Sequence, residues 1–173
     1  MNRENFKHLL FNVAFCAMSC DGEIDDREIE ELKLIDTKTT YFKDTDLSEE
    51  LSAMISAIRL KGQRVINDLF TMLMDADLTT VQELLILEVA LRIINADEKI
   101  EENEKWFFRI LRSKLRVHNE IIIDRFGQIG LLFDKDFKTN ITDRDKLVEV
   151  SYKFELPEFV NLEKIDFDKI KLG

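Results

Sequence analysis

Two stretches of this chain are variants of one another. VAFCAMSCDGEIDDREIEELKLI begins at Val13 and VALRIINADEKIEENEKWFFRIL at Val89, an offset of 76 residues (89 minus 13). Ala14 aligns with Ala90, Asp21 with Asp97, Ile24 with Ile100 and Glu28 with Glu104. Apolar positions follow the same register: Ala17, Met18, Leu32 and Ile35 align with Ile93, Ile94, Phe108 and Leu111. Each copy has the pattern of an apolar helix, a short acidic turn and an amphipathic helix. A repeated unit of this size cannot bury its apolar face alone, so the two copies are expected to pack into one bundle with their turns as equivalent features.

Local signals fill in the rest. Phe6, Leu10, Val13, Ala14 and Ala17 recur at spacings of three and four, which predicts a helix over about 4–20. Phe11, Phe15 and Met18 widen its apolar face, as expected of a helix contacted on several sides. Asp21-Gly22 ends it, and Asp25 with Glu28 three residues later forms a capping box for the next helix, flanked by Ile24 and Ile29 as a hydrophobic staple. Asp46 or Ser48 opens a third helix, and Lys61-Gly62 separates it from a fourth containing Val65, Ile66, Leu69, Phe70 and Leu73. A cap at Thr79 or Thr80 leads into a strongly apolar helix ending near Asn95. A sixth spans about 102–116 with Trp106, Phe107, Ile110 and Leu111 inward, and Asn119 caps a short seventh. The expected fold is therefore all-α: a compact bundle of about seven helices over 1–126, built from two repeated helix-turn-helix units.

Residues 127–173 break that pattern. Phe133, Phe137, Phe154, Phe159 and Phe167 are scattered among charged residues, and Pro157 interrupts any regular element. Leaving a Phe side chain unburied forfeits roughly 1.5–3 kcal/mol, so this irregular extension is expected to pack back on the bundle or to dock a partner.

Composition narrows the functional classes. The chain holds 1 Pro and 5 Gly in 173 residues, which disfavours a many-turned β-sandwich. Its formal charge of -10 makes it a poor nucleic-acid binder, because phosphate would be repelled. No apolar run reaches the roughly 18 residues that cross a bilayer, since Glu83, Glu88 and Arg92 interrupt the richest one, so no direct membrane insertion is expected. With 2 Cys and no signal-peptide pattern at the start, a cytoplasmic setting with reduced thiols is expected. Cys16 and Cys20 lie four apart on one helix and are expected in the core rather than on a soft metal. The two histidines, His8 and His118, belong to no Glu-x-x-His or nucleophile motif, and Walker and dinucleotide loops are absent from the sequence.

The paired pattern of small apolar helix, Asp-Gly-x-Ile and then Glu in the first turn of the next helix resembles the TerB-like domain. That family includes tellurite-resistance TerB proteins and the cytosolic TerB-like domain of a membrane-anchored DnaJ co-chaperone. The likeness covers roughly residues 5–126. CDGEIDDRE matches well, with Cys20 where the family usually has Ala; in ADEKIEENE, Glu98 replaces the Gly and Glu101 stands at the cap, a residue with little capping preference. The resemblance implies a non-enzymatic protein-interaction module of a stress-response system related to tellurite resistance, with protein partners that include a membrane-associated stress complex. It also implies divalent cation binding at the acidic turns.

The residues themselves suit that chemistry in part. Asp21, Glu23, Asp25 and Glu28 in the first turn, and Asp97 and Glu104 in the second, supply the oxygen donors that Ca²⁺ or Mg²⁺ prefer. The spacing is not an EF-hand loop, because Gly22 directly follows Asp21 and Glu28 comes too early. Capping alone also accounts for Glu28, and Lys99 places a positive charge in the second turn where the first has Glu23, so the first turn is the stronger candidate. Two other functions fit the same residues: a metal-dependent hydrolase using the turn carboxylates, and a co-chaperone accessory module.

Overall fold

The computed structural model of this chain describes residues 1–96 and 99–133. Among the described residues the fold is all-helical, with eight helices and no strand. In chain order these are α1 (Arg3–Ser19), α2 (Asp26–Lys38), α3 (Leu47–Lys61), α4 (Arg64–Asp75), α5 (Thr80–Ile94), α6 (Glu102–Ser113), α7 (Asn119–Phe126) and α8 (Gly130–Phe133). None is long and apolar enough to cross a membrane.

The helix at the centre is α1. From Phe6 to Ser19 nearly every side chain is buried, including Phe11, Phe15 and Met18, because α1 packs against α3, α4, α5 and α6. A helix wrapped on all sides needs no polar face, and its sequence offers only a narrow one. Its most extensive partner is α5, whose Ile86, Leu87, Val89, Ala90, Ile93 and Ile94 are also buried. Ala14 and Ala17 of α1 and Ala90 of α5 are all buried small residues, and the absence of bulk there suits close approach of the backbones.

Three charges interrupt the apolar α5, and each stitches it to a different element. Glu83 is buried and its Oε2 accepts from the backbone amides of Arg116 and Val117, at 2.8 and 2.5 Å. Glu88 accepts from the Tyr41 hydroxyl at 2.9 Å and from Arg125 at 2.8 Å, joining the loop after α2 to α7. Arg92 donates to Glu31 of α2 at 2.5 Å. The loop after α6 is held a second time by buried Arg112, which donates to the carbonyls of Leu115 and Val117 and to Asn119 Oδ1. Position 7 of α1, which aligns with position 83, plays the same part with the opposite charge. Lys7 is buried and donates from Nζ to the carbonyl of Lys43 in the loop after α2. Backbone offers both donors and acceptors, so a carboxylate and an ammonium can each pin a loop from the same place.

Several expectations from sequence shift by a residue or an element. The inward face of α6 is Phe107, Phe108 and Leu111, with Trp106 and Ile110 only half-buried, so the apolar stripe is rotated from the Trp106-centred one. Asn119 is the first residue of α7 rather than its cap; His118 holds the cap position, and the Asn119 side chain is engaged by Arg112. The bundle continues past Phe126: Ile129 and Leu131 pack against the core and Leu132 is buried in it, with α8 lying on α6. One helical turn is too short to show a period, which is why 127–133 looked irregular. The scattered phenylalanines from Phe137 onward lie outside the described residues.

The break between α3 and α4 rests on Gly62, with φ +55° and ψ −136°, a region open to essentially no other residue. A Cβ there would meet nothing within 4 Å. Gly62→Ala is therefore expected to destabilise the fold by about 1–3 kcal/mol through backbone strain alone, read as a lower urea midpoint at unchanged m-value.

Candidate functional site

The first acidic corner is built by local chemistry. Gly22 donates to the Ser19 carbonyl at 3.0 Å and takes φ +87°, turning the chain out of α1. Asp21 Oδ1 then accepts from the Glu23 amide at 2.9 Å, an Asx-type turn that sets the corner. Asp25 caps α2, accepting from Arg27 N at 2.8 Å, while Glu28 Oε2 reaches back to the Asp25 amide at 2.8 Å. This is the capping box expected from sequence, and Ile24 and Ile29 both pack inward beside it.

The second corner follows α5. Asp97, one of its two candidate ligands, lies outside the described residues. Beyond it, Lys99 forms an ion pair with Glu101, and Glu104 Oε2 accepts from the Glu101 amide at 2.7 Å. That bond is the counterpart of Glu28 to Asp25, and α2 and α6 begin at Asp26 and Glu102, the same offset apart as the two sequence copies. Glu101 thus occupies the cap position despite its low intrinsic preference: the returning carboxylate of Glu104 satisfies the amide that the helix start leaves open.

Charges from both corners bear on Cys20. The Cys20 thiol, fully buried at the end of α1, is raised well above its ordinary value by burial and then by the negative charges of Glu104, Asp21 and Glu28. Asp21 is likewise raised, chiefly by burial, with Glu23 and Glu101 adding to it and the Glu23 amide opposing. Glu28 and Glu104 are themselves buried, at 6% and 4% exposure. Three of the sequence-predicted residues, Asp21, Glu28 and Glu104, therefore act electrostatically on Cys20, and Glu101, which sequence reading treated only as an indifferent cap, acts on Asp21. Glu23 points into solvent, and Asp25 is engaged by Arg27 through Nε at 2.9 Å and Nη2 at 3.1 Å. Cys16 and Cys20 are both free and buried, and burial pushes the Cys16 thiol up as well, so both sit in the core as expected.

As a ligand set the described carboxylates fit a cation poorly. Asp21, Asp25, Glu28 and Glu104 each close or cap their own turn, and no group of three or more His, Cys, Asp or Glu side chains is arranged to hold a metal among the described residues.

Asp21 and Asp25 respond oppositely to acid. Arg27 holds the Asp25 carboxyl down at about 2, so its ionised form contributes stability above the ordinary value near ~4, and that contribution fades as pH falls from there toward about 2. The side chain is 39% exposed and solvent screens the pair, so the gain is small; losing the cap itself in Asp25→Ala is expected to cost about 1 kcal/mol at neutral pH. Asp21 has the reverse sign: its raised value means that ionisation works against the fold, increasingly as pH rises through the carboxylate range. Asp21→Asn keeps an acceptor for the Glu23 amide and is expected to leave neutral-pH stability unchanged or higher. Urea melts at pH 3 and pH 7 check both variants.

Comparison with protein-family models, curated proteins and solved structures finds no match to this chain.

Proposed function

We propose that this chain is a non-enzymatic, TerB-like protein-interaction module of a stress-response system, built from two duplicated helix-turn-helix units. Its acidic corners are the binding face for a protein partner that presents positive charge; a divalent cation, Ca²⁺ or Mg²⁺ by donor type, is the second reading and would require the turn carboxylates to leave the amides they now cap. The observation that supports this reading is the pair of like-built corners, each with a Glu returning to the amide at its helix cap, from which the charges of Asp21, Glu28 and Glu104 all bear on Cys20 at the end of α1. Like charges on neighbouring elements disfavour one another, and a bound basic side chain or cation relieves that repulsion. The outward-facing Glu23 and Asp26 extend the same negative surface. A bound cation would draw on the exposed Glu23 first, because Asp21 and Glu28 are committed to the Glu23 and Asp25 amides.

Calorimetric titration of Ca²⁺, Mg²⁺, Mn²⁺ and Zn²⁺ into the wild type and into Asp21→Asn/Glu28→Gln tests the cation. Both replacements keep an acceptor oxygen in place, so the turn survives while its charge is removed. A cation site at the first corner would give heats in the wild type that are lost or at least tenfold weaker in the variant. Equal heats from both would exclude the first corner, and no heat from either would leave a scaffold whose partner is a protein.

A further inference from the structure

We draw no further inference here: the strongest candidate, the open groove of about 600 Å³ between the C-terminal half of α2 and the start of α3, lined by Lys33, Asp36, Asp44 and Asp46, is a cluster of acidic side chains beside a capped helix start, with no second observation that points to a ligand.

Discussion

Glu83→Ala is expected to remove about 3–5 kcal/mol of stability, the range seen when one member of a buried charged network is deleted. Its carboxylate is 4% exposed and takes both backbone amides of the Arg116–Val117 loop. Alanine would leave those amides without an acceptor and would leave the buried Arg112 guanidinium, already shifted down by burial, without the nearby negative charge that offsets it. Glu83→Gln separates the two effects. The amide oxygen can still accept from both loop amides, so it should lose clearly less than alanine if the loop bonds dominate, and nearly as much if the charge does. Urea unfolding of both variants decides it. A loss below about 1 kcal/mol for alanine would mean that water reaches the loop and replaces the carboxylate.

Phe11→Ala comes next in size, with an expected loss of about 3–5 kcal/mol from the apolar contacts and the cavity left behind. Phe11 lies on α1 and meets Phe42 of the α2–α3 connection edge to face, with ring centroids 6.1 Å apart and planes at 78°. Both rings are fully buried. Phe42→Ala should cost about as much, and the double variant should fall short of the sum by about 0.5–1.5 kcal/mol, the coupling of an aromatic pair. Strict additivity would show that the two rings fill separate cavities and do not support each other.

What could be read from sequence was what neighbouring residues decide among themselves. The Asp25–Glu28 box was legible because its partners are three residues apart, and so was the end of α3 at Gly62, which depends on one residue's backbone. The buried set Val65, Ile66, Leu69, Phe70 and Leu73 of α4 followed directly from helical spacing. The misreadings have tertiary causes. Asn119 is a good cap by type, but Arg112 recruits its side chain from another helix. Glu101 is a weak cap by type, but Glu104 supplies the missing partner. At the candidate site, the offset between the two copies made the corners equivalent without indicating that they share an electrostatic environment, since no local pattern reports that the Glu104 charge acts on a thiol eighty-odd positions earlier. The loop pins were hidden more thoroughly. Lys7 and Glu83 align in the two copies, yet opposite charges at one position read as solvent-facing drift until the loop amides and carbonyls beside them are known.

The burial of α1 on every side has a consequence for synthesis. This helix is made well before α5, its broadest cover, which is not complete until Ile94 has been added. During elongation at about 5–20 residues per second, the leading segment must wait several seconds with Phe11, Phe15 and Met18 unprotected. Pairing across that sequence separation also slows spontaneous refolding relative to a bundle closed by adjacent hairpins. The nascent chain is thus most prone to aggregate, and most in need of a chaperone, before its middle third leaves the ribosome.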